Sequence, residues 1–212
     1  MPRIIFKLFI DMFYAISIIS IAVLGVLNTT IVYRYVINKY DLNNYTGLST
    51  EILVDNYKRI IYFVQNPFKK ELVLNNLAMS SLGKTHFFEV RQIFIVLYII
   101  SIIFISIMIF KILTNKNNGL GKKIIKSFNS SVNIIALIFT SVSIAVAIDF
   151  SKTFYFFHKI FFRNDYWIFD PATDPIINSL PEELFMIELV LVISLLIIFT
   201  LVIKVLYLRN KS

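Results

Sequence analysis

The chain has 212 residues, of which 58% are hydrophobic, and its mean hydropathy is +0.76. A soluble domain of this length could not bury that much apolar surface, so the composition predicts an integral membrane protein. The sequence contains no cysteine, which excludes disulfides, thiolate metal ligands and cysteine nucleophiles. The net charge of +8 comes from basic residues that flank apolar segments, a pattern that indicates membrane topology and no binding of nucleic acid.

Four apolar segments are each long enough to cross a bilayer, which requires roughly 20 residues. They comprise about residues 4–27, 93–113, 132–148 and 184–206. The first segment follows Arg3 as a signal peptide would, but its apolar run is too long and no small-residue cleavage site follows it. We therefore interpret it as an uncleaved anchor. The predicted fold class is all-α, a single membrane domain with four transmembrane helices.

The distribution of charge along the chain predicts its orientation. Outside the spans, three flanks contain basic residues and no carboxylate: the N-terminus, the 115–126 loop and the C-terminus. Nearly all acidic residues occur instead in residues 28–92 and 149–183. By the positive-inside rule, both termini and the 115–126 loop should be cytoplasmic, and the two acidic regions should be extracytoplasmic.

Residues 28–92 should form a small extracytoplasmic cap between the first two spans. Thr50 can cap a helix that Pro67 ends, and apolar side chains recur along this helix at helical spacing. Such an amphipathic helix could lie on the membrane surface. Its predicted apolar stripe consists of Leu53, Tyr57, Ile60, Ile61 and Val64.

The second half of the cap leads into the second span. Residues 70–74 can form a short strand, Gly83 should break the chain, and Thr85 can cap a helix that begins at His86. From there to the end of the span is about 28 residues, or about 42 Å at 1.5 Å per residue. That length exceeds a hydrocarbon core of about 30 Å, so His86 and Glu89 should stand above the membrane.

The two histidines are candidates for acid–base chemistry. At a helix N-terminus the dipole disfavours a charged imidazole at His86, and Glu89 lies on the same face. His158 lies within a run of phenylalanines, and a nearby carboxylate could orient its ring. The candidate carboxylates are Asp165, Asp170 and Asp174. A surface histidine and an interfacial aromatic belt remain alternative interpretations of these two positions.

Other polar residues support weaker predictions. Arg91 and Arg163 could bind a phosphate or a carbonyl oxygen, or they could anchor helix ends. The aspartate spacing does not fit an EF-hand and the histidines form no H-E-x-x-H motif, so we predict no metal. Within the spans, Asp11 should pair with Lys7 one turn away, whereas Glu188 lies near the outer end of the fourth span.

Several blocks of the sequence form a distinctive set. They are His86-Phe-Phe-Glu89-Val-Arg91, His158-x-x-Phe-Phe-x-x-Asp165-x-Trp167-x-Phe-Asp170-Pro171, Asp174-Pro175-Ile, Pro181-Glu182-x-x-Phe185 and Asn56-Tyr57-x-x-Ile-Ile-Tyr62. Together with the four spans, these blocks resemble the lipoprotein intramolecular transacylase (Lit) family of Gram-positive bacteria. The resemblance covers most of the chain, and the block that starts at His158 is its specific part.

The resemblance implies an activity on lipoproteins that carry a diacylglyceryl group. The sn-2 acyl chain would move to the free amine of the N-terminal cysteine and leave an N-acyl, S-monoacylglyceryl lyso-form. The family's two catalytic histidines correspond to His86 and His158. The predicted substrate-binding residues are Arg91, Arg163, Trp167, Asp165, Asp170, Asp174, Glu89 and Tyr62. We expect a monomer in the bacterial cell membrane that contacts membrane lipid, acts at the outer face and needs no cofactor.

The residues are consistent with this chemistry. Aminolysis of an ester needs a base for the attacking amine and an acid for the leaving alkoxide, and two imidazoles can supply both. The nucleophile belongs to the substrate, and the aromatic residues can exclude water that would hydrolyse the ester. Two alternatives remain. A non-catalytic membrane receptor or chaperone for lipid-anchored proteins would need neither histidine, and a metal-dependent membrane hydrolase would be sensitive to chelators.

Overall fold

The structure is a computed structural model that describes residues 2–114 and 119–210. In these residues the chain forms eight α-helices and a short 3₁₀ helix at Pro175–Ser179, without any β-strand. The α-helices are α1 (Pro2–Leu27), α2 (Thr30–Lys39), α3 (Leu42–Thr46), α4 (Thr50–Gln65), α5 (Ser81–Thr114), α6 (Leu120–Ile148), α7 (Phe150–Phe161) and α8 (Glu182–Arg209). The predicted all-α fold class is confirmed.

Helices α1, α5, α6 and α8 are long and apolar enough to cross a membrane, which confirms the number of predicted spans. Most of the apolar surface of α5, α6 and α8 is not covered by protein, as expected for helices that contact lipid. The helices extend beyond the predicted spans. In particular, residues 120–126 form the first turns of α6, where a loop was predicted. Residues 115–118 of that loop, and Lys211 at the C-terminus, lie outside the described residues.

The described helices divide into two compact units. The first, here called the span unit, consists of Met1–Leu24, Leu97–Ile148 and Leu191–Ser212. The second, the head unit, consists of Gly25–Val96 and Asp149–Val190. Both histidines belong to the head unit.

Two lysines of the span unit donate hydrogen bonds to polar side chains of the same unit. Lys111 donates to the Tyr14 hydroxyl at 2.5 Å, and Lys204 donates to the side-chain oxygen of Asn133 at 2.6 Å. The predicted ion pair between Lys7 and Asp11 does not occur in this part of the described chain. Asp11 is buried whereas Lys7 is exposed, so the two side chains do not share a surface.

Helix α4 forms the centre of the head unit. Ser49, and not the predicted Thr50, caps it, since the Ser49 hydroxyl accepts from the backbone N–H of Ile52 at 3.4 Å. The helix ends at Gln65, shortly before Pro67 as predicted. Its apolar face is covered by the core of the unit and is therefore not available for contact with a membrane surface. The buried residues of this face are Leu53, Val54, Tyr57, Ile60, Phe63 and Val64, whereas Ile61 is only partly buried.

The strand predicted at residues 70–74 does not form. Leu72 and Leu74 are buried and alternate as they would in a strand, which explains the prediction. No second extended segment in the described chain supplies a hydrogen-bonding partner. Nearby, the side chain of Asn56 takes that role for Asn75, accepting from its N–H at 2.6 Å and donating to its carbonyl at 2.9 Å.

The start of α5 differs from the prediction. Gly83 does not break the chain but lies in the first turn of α5, and Thr85 is inside the helix, where its hydroxyl donates to the Ser81 carbonyl. Ser80 caps α5 by accepting from the Gly83 N–H at 3.0 Å. The Asp174 carboxylate accepts from the Ser80 N–H at 2.7 Å and packs directly against Gly83. A glycine is needed here because a Cβ would overlap that carboxylate.

Gly83→Ala should therefore destabilise the protein, although alanine is the better helix former. The added methyl group must displace the Asp174 carboxylate from the Ser80 N–H, and we expect a loss of about 1–3 kcal/mol, typical of overpacking. Thermal unfolding of the purified protein measures the effect. Gly25→Ala is the control, because no atom lies within 4 Å of a Cβ at that helical position. Equal melting temperatures for the two variants would contradict the prediction.

Candidate active site

The two imidazoles lie side by side in the head unit. Their ring centroids are 6.0 Å apart and the ring planes are inclined by 38°. His86 is on α5 and His158 is near the end of α7, and both are buried, with 7% and 9% of their surface exposed. This proximity is consistent with the joint catalytic role that the resemblance implies for the two histidines. His86 is in the second turn of α5 and not at its N-terminus, so the helix dipole acts on it less than predicted, because that effect falls off within the first turn.

Aromatic rings enclose the pair, as expected from the sequence. The Phe162 ring contacts both imidazoles, with its centroid 4.8 Å from that of His86 and 5.6 Å from that of His158. Trp167 stacks on His158 at 4.6 Å with an angle of 27° between the planes. Phe154 and Phe169 close two other sides. We call these four aromatic residues the aromatic cage.

The hydrogen bond of His158 defines its tautomer. Nδ1 lies 2.7 Å from the carbonyl oxygen of Phe154, one turn earlier on α7. A carbonyl only accepts, so Nδ1 carries the proton and Nε2 holds the lone pair. Burial lowers the pKa of His158 below its usual value, and the bond to the Phe154 carbonyl and the charge of Glu182 partly oppose this. At neutral pH the ring is therefore an uncharged proton acceptor.

The predicted orientation of His158 by an aspartate is wrong. The carboxylate of Asp165 pairs with Lys159, and that of Asp170 accepts from the backbone N–H of Ala172 at 2.9 Å. Asp174 caps α5 through Ser80. All three carboxylates therefore have a backbone N–H group or a lysine as their partner, and the imidazole is held by the Phe154 carbonyl instead.

Glu89 connects to His158 through two other residues. One oxygen of its carboxylate, Oε1, accepts from the side-chain amide of Asn164 at 2.7 Å. The backbone carbonyl of Asn164 accepts from the indole N–H of Trp167 at 3.0 Å, and Trp167 stacks on His158. Asn164 was not among the predicted site residues, since an asparagine in a turn has no local signal that distinguishes this role.

The remaining predicted residues make no hydrogen bond or ring contact with either imidazole in the part of the chain that the structure describes. Arg91 is buried, donates to the Lys69 carbonyl at 2.5 Å and stacks between the rings of Phe63 and Phe88, at 4.6 and 4.5 Å. Arg163 and Tyr62 are exposed. Among the described residues, no group of three or more histidine or carboxylate side chains is close enough to hold a metal ion.

A half-buried carboxylate in the head unit is also paired. Glu188 accepts from the Tyr57 hydroxyl at 2.8 Å, and Tyr57 stacks on Tyr33 at 4.4 Å. Burial raises the pKa of the Tyr57 hydroxyl, which therefore remains a donor. Three residues before Glu188, Phe185 packs on Phe154, whose carbonyl holds His158. Sequence reasoning located Glu188 near the site but did not give it a partner.

Comparison with known proteins gives a consistent result. A family model described as lipoprotein intramolecular transacylase Lit matches residues 8–185. The in meso structure of the membrane-integral lipoprotein intramolecular transacylase Lit from Bacillus cereus matches this chain with a TM-score of 0.82 and 26% identity. The match covers 97% of this chain and 95% of the Bacillus cereus chain. Two structures of that protein, with a histidine mutated to arginine or to alanine, have TM-scores of 0.74 and 0.72, with 26% and 28% identity. Both matches cover 97% of this chain, and they cover 91% of the arginine variant's chain and 93% of the alanine variant's chain. No curated protein matches the chain.

Proposed function

This chain belongs to the lipoprotein intramolecular transacylase family, and we propose that it transfers the sn-2 acyl chain of a diacylated lipoprotein to its N-terminal cysteine amine. It is an acyltransferase and an integral membrane protein. The product of the proposed reaction is the N-acyl, S-monoacylglyceryl lyso-form. The observation that supports it best is the pair of buried imidazoles, whose ring centroids are 6.0 Å apart. A histidine was also the residue substituted in the related Bacillus cereus protein.

We assign His158 as the general base, because its Nε2 lone pair is free while Nδ1–H is held by the Phe154 carbonyl. As the amine nitrogen bonds to the ester carbonyl carbon, Nε2 takes a proton from it. The bond between that carbon and the glycerol oxygen then breaks. His86 relays the proton from Nε2 of His158 to this oxygen, so that the amine has lost one proton, the alcohol has gained it, and both imidazoles are again uncharged. The nucleophile and the acyl donor are both parts of the substrate, which explains why no acyl-enzyme is needed.

The aromatic cage has a chemical role in this proposal. Water competes with the amine for the ester carbonyl, and apolar rings around the imidazoles keep it out. They also restrict the amine and the ester to one small volume, which raises their effective concentration. We propose Trp167 as a direct contact of the substrate, with Glu89 beside it.

The other predicted substrate residues keep proposed roles of two kinds. Arg163 and Tyr62 are exposed and suited to contact the peptide or the lipid headgroup. Arg91 supports α5 through its stacking between Phe63 and Phe88. The carboxylates of the segment between α7 and α8 support the loop that carries Trp167, and they are Asp165, Asp170 and Asp174. We propose that a monomer suffices, because all these residues come from one chain.

The product of the reaction tests the proposed function. Purified protein incubated with a diacylated lipopeptide should give a lipopeptide of unchanged mass whose tandem mass spectrum shows one acyl chain on nitrogen and one on glycerol. A chelator should leave the rate unchanged. Release of free fatty acid instead of N-acylation would indicate a hydrolase, and a chelator-sensitive release would indicate a metal-dependent one. Binding of the lipopeptide without any product would favour the receptor or chaperone.

The proposed orientation has its own test. Both termini and the start of α6 should be cytoplasmic, and the segment between α7 and α8 should be extracytoplasmic, because the basic flanks lack carboxylates. The chain has no cysteine, so a single introduced cysteine is the only thiol of the protein that the reagent can label. In intact cells an impermeant thiol reagent should label Ala172→Cys and should label Lys122→Cys only after the membrane is permeabilised. The opposite labelling pattern would reverse the orientation.

A further inference from the structure

Two polar atoms, one in the imidazole pair and one next to it on α5, are buried and have no hydrogen-bond partner in the part of the chain that the structure describes. They are Nδ1 of His86 and Oε2 of Glu89. Residues three apart on a helix are neighbours on one face, so these atoms belong to adjacent positions on α5. A carboxylate oxygen removed from water without a donor is unfavourable. Glu89 is therefore suited to a ligand that donates hydrogen bonds.

The other oxygen of Glu89 already has a structural role. Oε1 accepts from Asn164, whose carbonyl holds the indole of Trp167, and Trp167 stacks on His158. These contacts fix the direction of the carboxylate relative to the proposed base. Oε2 is not needed for them and is available to a ligand.

Three cations of the head unit have partners other than Glu89. Lys84 pairs with Glu71 at 2.5 Å, and Arg91 donates to the Lys69 carbonyl. Lys159 pairs with Asp165. The described residues contain no ion pair that includes Glu89. A cation from the substrate would supply the missing charge.

We propose that Glu89 binds the protonated N-terminal amine of the substrate through Oε2. The inference rests on the proposed function, in which that amine is the nucleophile. The amine of a peptide N-terminus has a pKa of about 8, so the substrate arrives mostly as an ammonium. The ammonium must lose two protons in total. One passes to the glycerol oxygen by way of the imidazoles as the ester C–O bond breaks, and the other leaves to solvent.

This assignment also explains product release. N-acylation converts the ammonium into an uncharged amide, so the product no longer carries the charge that Glu89 binds. Substrate is therefore held more tightly than product by the same group. The carboxylate acts as a specificity residue for a free N-terminal amine.

Binding of a lipopeptide that cannot react separates this role from catalysis. A dialkyl ether analogue has no ester to transfer, and it is prepared with a free N-terminal amine and in N-acetylated form. The dissociation constant of each is measured with the wild-type chain in detergent. We expect the free amine to bind roughly tenfold more tightly, a factor that corresponds to about 1.4 kcal/mol. Glu89→Gln should abolish this preference.

Two variants serve as controls. Glu71→Gln makes the same chemical change at an exposed carboxylate of the head unit and should keep the preference. Asn164→Ala removes the partner of Oε1 but leaves the carboxylate, so it should also keep most of the preference. A loss in Asn164→Ala as large as in Glu89→Gln would mean that Glu89 only positions Asn164, and it would overturn the proposal.

The remaining outcomes of the binding experiment also support or overturn the role of Glu89. Equal binding of the two analogues by the wild type, or a preference that survives in Glu89→Gln, overturns the assignment of Glu89. If Glu89→Gln does not fold, Glu89→Asp should show a reduced preference, because its charge is one methylene farther from the ligand. N-acylation of the ester lipopeptide is measured separately. A wild-type protein that N-acylates this substrate but shows no preference for the free amine would overturn the role of Glu89 and leave the proposed function standing.

Discussion

Replacing His158 with asparagine should lower the rate of acyl transfer by about 10²–10⁴-fold, the usual contribution of a general acid or base. The asparagine amide can still donate to the Phe154 carbonyl, which accepts from Nδ1 at 2.7 Å in the wild type. What it lacks is the Nε2 lone pair, so the variant should fold and insert but should not activate the amine. Single-turnover mass spectrometry of the lipopeptide measures the rate.

His86→Asn should have an effect of similar size, and the double variant should be little worse than either single one. Groups that act as a unit are not additive in their effects, and here one proton passes between the two rings. Phe156→Leu, at a ring on α7 that is 65% exposed, controls for general damage to that helix. Full activity of both single variants would remove the histidines from the mechanism and favour a receptor or chaperone.

Sequence reasoning succeeded for features that depend on nearby residues and failed where a feature depends on a contact between residues far apart in the chain. The four spans follow from hydropathy, which is a local property. The joint role of the two histidines followed from the predicted topology and from the resemblance to the family. The start of α5 does not follow from a local property, because the carboxylate that holds the capping residue Ser80 belongs to Asp174, 94 residues away from it. Gly83 looked like a chain break for the same reason, since its actual role depends on that distant carboxylate.

The partner of His158 illustrates a different limit. Three aspartates follow it in the sequence, and a carboxylate is a common partner for an imidazole. The structure instead uses a main-chain carbonyl one helical turn earlier, at Phe154. Every residue of a helix has such a carbonyl, so composition gives no indication of which one will be used. The choice depends on the side-chain rotamer, which the surrounding rings determine.

Trp167→Ala should reduce acyl transfer by about 10²-fold, as expected when the geometry around a base is lost by a misplacement of about 1 Å. The indole stacks on His158 at 4.6 Å and is held by the Asn164 carbonyl at 3.0 Å, so its removal opens one side of the aromatic cage. Water can then reach the ester carbonyl. We therefore expect a second effect, a larger share of free fatty acid among the products.

The ratio of N-acylated lipopeptide to free fatty acid, measured by mass spectrometry, separates these two effects. Trp167→Phe should be intermediate in both, because it keeps an aromatic ring against His158 but loses the N–H that donates to Asn164. Phe68→Ala is the matched control, an aromatic ring of the head unit that is 89% exposed. If Trp167→Ala and Phe68→Ala gave the same rate and the same ratio, the aromatic cage would have no part in excluding water. The ester would then have to be protected by the lipid itself.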